Sequence, residues 1–460
     1  MIPITSEYAR EYQKAAAEYL LLSKKTILAD EMGLGKTCSV ITALSKLVQD
    51  SIEPVQVLIV TPAHLKFVWI EEFEKFADYR VEIEMHHRTQ LRYYFIHPEL
   101  TKTAIVTIIN YDILHSRLPD LVKKNYTVLV CDESHYLKTL TTKRTKAVIA
   151  LTKNIQSLKY IWLLSGTPTT KDAMDLFSQL KILNHPLAEN YIYFAKKYAN
   201  MKEVEKFGRK IKVFSFSNED ELRYELYSSC MIRRTKDQVL HELPEKTRQI
   251  IVLDSDEVEE LINQEKEILK TITASEEEID EILTDPMKMP KTTMLARVRQ
   301  ELALKKIPVV VNFIEEVLSD QNKVVVFAWH RTVIYSLMEA LKKVYPQSMI
   351  ISITGEDTQE TKAKAIQLFQ NHENPRILIC SIAAVSTGVT LTAASTCIFI
   401  ESDWIPAHIV QAEDRLHRIG QKNPVFVYHF TFDRSVESRI LKKMFHRKEK
   451  IEKVLEAKHV

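Results

Sequence analysis

The chain has 460 residues, 45% of them hydrophobic, with a net charge of +2 and five cysteines. That length exceeds one ordinary core and suits two α/β domains with insertions; Cys38, Cys131, Cys230, Cys380 and Cys397, scattered and without metal-like spacing, indicate a reducing compartment rather than a disulfide framework or a zinc site. The start, Met1-Ile-Pro-Ile-Thr-Ser-Glu, lacks a leader pattern, and no apolar run approaches the ~20 residues that cross a bilayer, so a soluble intracellular protein with no membrane partner is expected.

Short β-branched runs alternate with longer helical patterns, the grammar of a parallel sheet built from βαβ units. Strands are expected at 26–29, 57–60, 105–108, 128–131 and 161–164, each followed by residues able to do chemistry, as at the carboxyl ends of parallel strands. The first runs into Asp30-Glu-Met-Gly-Leu-Gly-Lys-Thr37 and then a helix over 38–48. Such a loop aims backbone N–H groups at phosphate oxygens; Gly33 and Gly35 let the backbone approach, Lys36 neutralises the β and γ phosphates, and Thr37 offers a hydroxyl to Mg²⁺. Asp30 stands where the general template has glycine.

The strand at 128–131 ends in Asp132-Glu133-Ser134-His135. Adjacent acids at a strand tip supply one carboxylate for the metal and one for the attacking water, here Asp132 and Glu133 respectively. After the next strand, Ser165-Gly-Thr-Pro168 offers hydroxyls and a tight turn, and is read as an element that senses nucleotide state. From 172 to 320 strand signals are few, and helical protrusions with a linker near Glu242–Lys246 are expected. Residues 251–300 hold thirteen acids against six bases, a solvated helical insertion rather than a DNA groove.

The β-rich pattern resumes at 324–327, 350–353, 377–380, 398–400 and 425–428, a second α/β lobe. Pro406 and Gly420 mark the ends of a predicted helix on which Gln411, Arg415 and Arg418, spaced i, i+4 and i+7, share one face. Arginines in a row suit the charge that develops on a transferring phosphoryl group; the alternative is a solvated face with salt bridges to Glu413 or Asp414. The expected partition is a RecA-like lobe over 1–245 with a helical protrusion, a linker and insertion over 246–320, a second RecA-like lobe over 321–435, and a basic brace helix over 436–460.

From Tyr12-Gln13 to Gln421 the chain resembles the Snf2 family of superfamily 2 helicase-like ATPases. The matching blocks are Asp30–Thr37, Thr61-Pro62 with Trp69, Asn110-Tyr111, Asp132–His135, Ser165–Pro168, Met231-Ile-Arg-Arg-Thr-Lys236, Val324–His330 and Gln411–Gln421. The resemblance implies that Gln13 contacts adenine, that Asp30, Gly388 and Gln411 belong to the nucleotide site, and that Arg415 and Arg418 act as fingers. It also implies ATPase activity stimulated by double-stranded DNA, with the strands gripped around Thr61, Asn110, Trp329, Thr354 and Thr387. Thr169-Thr-Lys-Asp172 and Ala384-Val-Ser-Thr-Gly388 depart from the chromatin-remodeller pattern. With Phe399-Ile-Glu-Ser-Asp-Trp404, the latter looks more like the annealing-helicase branch that works on forked DNA.

The expectation is therefore a largely monomeric DNA translocase using ATP and Mg²⁺ in repair, fork or recombination work, located in the cytoplasm of a prokaryote or phage or the nucleus of a eukaryote. A strand-separating DNA or RNA helicase and a catalytically silent DNA-binding scaffold are the alternatives, since fold alone does not settle substrate.

Overall fold

The computed structural model describes residues 9–87, 90–169, 172–206, 209–272, 293–384, 389–403 and 406–442. The chain divides into two compact units, with the boundary between Val239 and Leu240.

The strands of the first unit are β1 (Lys25–Leu28), β2 (Val55–Thr61), β3 (Arg80–His87), β4 (Gln90–Ile96), β5 (Thr103–Asn110), β6 (Val128–Asp132), β7 (Tyr160–Leu164), β8 (Lys202–Lys206), β9 (Arg209–Val213) and β10 (Met231–Ile232). Eight form one sheet in the order β10-β1-β7-β6-β2-β5-β3-β4; its pairs are parallel except β3 with β4. Alternate side chains go to opposite faces, so Ile27, Leu58, Val60, Leu129 and Leu163 pack in one core layer, whereas Leu28, Val57, Ile59, Val130 and Leu164 pack in the other. Both faces are covered by helices, which explains the nearly continuous apolar runs in the central strands.

The second unit has β11 (Lys246–Leu253), β12 (Val324–Ala328), β13 (Ile350–Ile353), β14 (Ile377–Ser381), β15 (Thr396–Phe399) and β16 (Val425–Phe432) in one all-parallel sheet, ordered β11-β16-β15-β12-β14-β13. Val325, Phe327, Cys380 and Phe399 face one layer; Val324, Val326, Ile379 and Ile398 face the other. The two-lobed α/β class expected from sequence is what the chain forms. No helix among the described residues is long and apolar enough to cross a membrane.

The expectation of few strands between 172 and 320 fails in detail. That segment contains the antiparallel hairpin β8–β9 and both β10 and β11, each the outer strand of its sheet. β10 is only two residues long, and β11, reading Lys-Thr-Arg-Gln-Ile-Ile-Val-Leu, mixes charged and apolar positions; pairing with β1 and β16 makes them strands, a non-local cause that periodicity does not carry. Of the expected brace over 436–460, residues 436–442 are helical and 443–460 lie outside the described residues.

Candidate nucleotide site

The parallel order places Ala29-Asp30, Ser165, Asp132, Thr61 and Asn110 at or just beyond the carboxyl ends of five neighbouring strands, β1, β7, β6, β2 and β5. β1 gives way to the phosphate loop, and the helix Lys36–Asp50 follows it. Gly33 and Gly35 have φ of 87° and 72°, backbone that an L side chain adopts only with strain. Gly35 is also crowded: a Cβ there would stand 2.5 Å from the Gln13 side-chain amide nitrogen. The 15-residue helix starts with no side-chain cap and no acid in its first turn. Its N–H groups and positive end suit an anion, and the loop chemistry fits a triphosphate.

Lys36 Nζ donates to the carbonyl oxygens of Asp30 (2.8 Å) and Glu31 (3.4 Å). Burial lowers the ammonium below its ordinary pKa, against the opposing pull of Glu133, Asp30 and Asp132. Thr37 sits half-buried in the first turn of the helix, next to Lys36. The Gln13 amide is occupied by protein: its oxygen accepts from Arg10 N at 2.9 Å and its nitrogen donates to Leu34 O at 3.1 Å, so it holds the phosphate loop from behind.

Asp132 closes β6. Its Oδ2 accepts from Trp69 Nε1 (2.9 Å) and Thr61 Oγ1 (3.1 Å), its Oδ1 from Glu133 N (2.9 Å), and its carbonyl from the Tyr111 hydroxyl (2.7 Å). Burial and the neighbouring Glu133 push the carboxyl up to about 6; the bonds from Trp69 and Thr61, and Lys36, pull the other way. Glu133 has φ 50°, a left-handed conformation costing about 1–2 kcal/mol in a non-glycine residue, and stands just after the end of β6. Its Oε2 lies 3.1 Å from His135 Nδ1, and the same nitrogen lies 3.3 Å from Ser165 Oγ. The described residues hold no cluster of three or more His, Cys, Asp or Glu fit for a metal. A single carboxylate, Asp132, with the Thr37 hydroxyl is a donor set that suits Mg²⁺, which keeps waters and phosphate oxygens as its other ligands.

Ser165-Gly166 packs on the phosphate loop: a Cβ at Gly166 would come 2.7 Å from Met32 Cγ and 3.4 Å from Lys36 Nζ. Arg233 Nη1 donates to both Ala29 O and Gly166 O at 3.1 Å, tying the end of β1 to this turn. Arg233 and its neighbour Arg234 were legible only as part of a matching block; no local spacing announced that they brace the loop from 200 residues away. Ser134 Oγ and Pro168 O are likewise linked through the Gln179 amide, at 2.8 and 2.5 Å.

In the second unit the predicted arginine helix is shorter than expected. It spans Pro406–Glu413 and then breaks into turns, with Arg415 N bonded to Ala412 O and Arg418 N to Leu416 O, so Gln411, Arg415 and Arg418 do not share one helical face. A pair of buried acids stands at the break. Glu413, fully buried, accepts from Arg248 Nε (2.9 Å) and Nη2 (2.6 Å) and from Lys246 Nζ (3.1 Å), while Asp414 accepts from Lys246 Nζ at 2.8 Å. Both acids bond inward to β11. Burial works against the Glu413 carboxylate, but Lys246, His429 and Arg248 outweigh it and hold its pKa well below the usual range. Leu391 N caps Arg415 O at 2.8 Å, and Arg418 Nη1 donates to Val389 O at 3.3 Å. Gln411 is buried. Gly388 and Thr387 lie outside the described residues.

Of the residues expected to grip DNA, Thr61, Asn110 and Thr354 are buried and bonded within the protein. Thr61 binds Asp132, Asn110 accepts from Lys66 Nζ at 3.2 Å, and Thr354 Oγ1 binds Asp357 at 3.0 Å. Their side chains therefore set loop shape. Trp329 is 36% exposed; its N–H and that of His330 both donate to the buried Glu401 carboxylate at 2.8 Å.

The SNF2-related domain matches residues 12–300, more than half of the chain. The chain belongs to the SNF2-related family. The helicase conserved C-terminal domain matches residues 305–420 of this SNF2-related chain. It is 32% identical over 431 residues to the DNA annealing helicase and endonuclease ZRANB3 of Mus musculus, covering 90% of this chain and 37% of that protein. It is 30% identical over 440 residues to the SWI/SNF-related matrix-associated actin-dependent regulator of chromatin subfamily A-like protein 1 homolog of Caenorhabditis elegans, covering 93% and 59%. The chain thus spans 37% and 59% of the lengths of these two relatives. A solved Sulfolobus solfataricus SWI2/SNF2 ATPase core in complex with dsDNA aligns over 100% of this chain and 99% of that one, with 22% identity and a TM-score of 0.45. The branch expected from the sequence agrees with the printed name of the Mus musculus relative.

Proposed function

We propose that this SNF2-related chain is a DNA-stimulated ATPase that hydrolyses MgATP and translocates on double-stranded or forked DNA in repair, fork or recombination work. The observation that carries this reading is the gathering of Lys36, Asp132, Glu133 and the Ser165–Pro168 turn at adjoining strand ends, with Glu133 and Ser165 both in contact with His135. Lys36 would leave its carbonyl partners to neutralise the β and γ phosphates, and Asp132 and Thr37 would hold a Mg²⁺ ion, which would supply further positive charge there. Glu133 orients the attacking water and takes its proton. His135 passes the occupancy of that site to Ser165. Arg415 and Arg418 are the arginine fingers that the family resemblance implies; such fingers contribute roughly 10³ to 10⁵ in rate. Of the residues proposed to grip DNA at Thr61, Asn110, Trp329 and Thr354, Trp329 carries the exposed side chain. Backbone-phosphate contacts make binding weakly dependent on sequence and strongly weakened by salt. The chain works as a monomer, in the nucleus of a eukaryote or the cytoplasm of a prokaryote.

Phosphate release with and without duplex, forked and single-stranded DNA tests this. Duplex or forked DNA should raise turnover, Lys36→Ala should abolish it, and Arg418→Ala should depress it while nucleotide still binds. No stimulation by any duplex or fork would refute the reading, and strand separation in a fluorophore-quencher duplex assay would favour an ordinary helicase.

A further inference from the structure

The phosphate loop carries an acid where a triphosphate must be received. Asp30 is fully buried, with 1% of its side chain exposed, and it stands six residues before Lys36. Arg234 surrounds that carboxylate: its backbone N–H and Nε each donate to Oδ1 at 3.0 Å, and Nη2 donates to Oδ2 at 2.5 Å. The remaining nitrogen, Nη1, donates to Tyr12 O, and the guanidinium lies 5.6 Å from the centre of the Tyr12 ring. Around this pair the main chain is stitched as well. Glu31 N donates to Arg234 O at 2.9 Å, and Lys236 N donates to the Glu31 carboxylate at 2.7 Å.

We propose that Arg234 is a positioning residue for nucleotide binding: it neutralises Asp30 and fixes the first residues of the phosphate loop so that the loop can accept an anion. The inference rests on the nucleotide-binding reading of that loop. Three observations support it. An unpaired carboxylate buried beside the phosphates would repel them through protein of low dielectric, where charges interact several times more strongly than in water. The Asp30 carbonyl is the principal partner of Lys36 Nζ, so the conformation Arg234 imposes on Asp30 also sets where the lysine waits. Arg234 lies five residues before Val239, at the end of the first unit, so the tie joins the loop to the chain that leads into the second. The aspartate and its arginine therefore make one device, which does the work that a glycine alone does in the general loop.

The test is a double-mutant cycle read by calorimetric titration of MgADP and by steady-state kinetics with MgATP and duplex DNA. Arg234→Ala should weaken MgADP at least tenfold and raise KM for MgATP by a similar factor, with kcat at saturation changed less than threefold. Adding Asp30→Asn to Arg234→Ala should recover at least threefold of the lost affinity, because the unpaired carboxylate is what harms binding. Where Arg234→Ala does not fold, Arg234→Gln, which keeps a donor of similar reach without the charge, takes its place in the same cycle. Affinity unchanged by loss of the arginine, or no recovery on adding Asp30→Asn, overturns the proposal. A wild-type chain that binds neither nucleotide overturns instead the reading on which it rests.

Discussion

Glu413→Ala is the substitution with the most to say about the second unit. Glu413 has no exposed surface and takes three nitrogen contacts from Arg248 and Lys246, both rooted in β11. Removing one partner of a buried ion pair costs about 3–5 kcal/mol, because the charges left behind are neither paired nor hydrated. Here Asp414 remains 2.8 Å from Lys246, which places the expected loss near the lower end, about 3 kcal/mol. For a domain of roughly 150–250 residues each kcal/mol moves Tm by about 2–4 °C, so the transition of this unit should fall by about 6–12 °C. The folded carboxyl titrates below its ordinary 4.5, so its stabilisation is complete above that pH and is lost only as pH falls through the depressed folded value. The variant and wild-type curves should therefore stay apart at pH 5–8 and converge in stronger acid. The helix ends at Glu413, the residue before Asp414-Arg415, so loss of its anchor should lower kcat more than it raises KM for MgATP. Differential scanning calorimetry and steady-state ATPase assays read both effects. A variant within about 1 kcal/mol of wild type at pH 7, with kcat unchanged, would refute the view that this buried pair sets the arginine turn.

Three other outcomes are expected. Asp132 ionises at about 6 before metal binds, so magnesium affinity and turnover should fall as pH drops through that value, with the dependence on one proton lost in Asp132→Asn; a flat profile from pH 5 to 7.5 would contradict its role. Gly35→Ala should weaken nucleotide binding at least tenfold by calorimetry, since the new Cβ meets the Gln13 amide at 2.5 Å and the backbone has φ 72°; wild-type affinity would show that the loop gives way cheaply. Glu265 is buried and its carboxyl is pushed up to about 7, by burial first, with Glu437 adding to it. Its raised folded value means that the stabilising contribution is full below about 4.5 and lost as pH rises through 7, so Glu265→Gln should stabilise the protein at pH 8 by up to about 3 kcal/mol and not at pH 4.5. Urea melts at the two pH values check this, and equal effects at both would contradict it.

Local sequence carried the parts whose physics is local. The apolar runs at 57–60, 128–131, 324–327 and 377–380 read as strand candidates between helical patterns and are buried parallel strands, and Gly33, Gly35 and Lys36 between a strand and a helix read as a phosphate loop from their own neighbours. Asp132 and Glu133 could be placed at a strand tip from their own neighbours, which is where the structure has them. Only the tertiary structure could show that Asp30 is answered by Arg234, that Thr61 and Trp69 hold Asp132, or that Glu413 and Asp414 turn inward to Lys246 and Arg248 where the arginine helix ends. Each of these is a charge or hydrogen bond satisfied by a residue tens to hundreds of positions away, and helical spacing contains no record of it. The same holds for β10 and β11, which are strands because an edge of a parallel sheet offers them unpaired N–H and carbonyl groups, a condition set by the folded sheet and absent from their own residues.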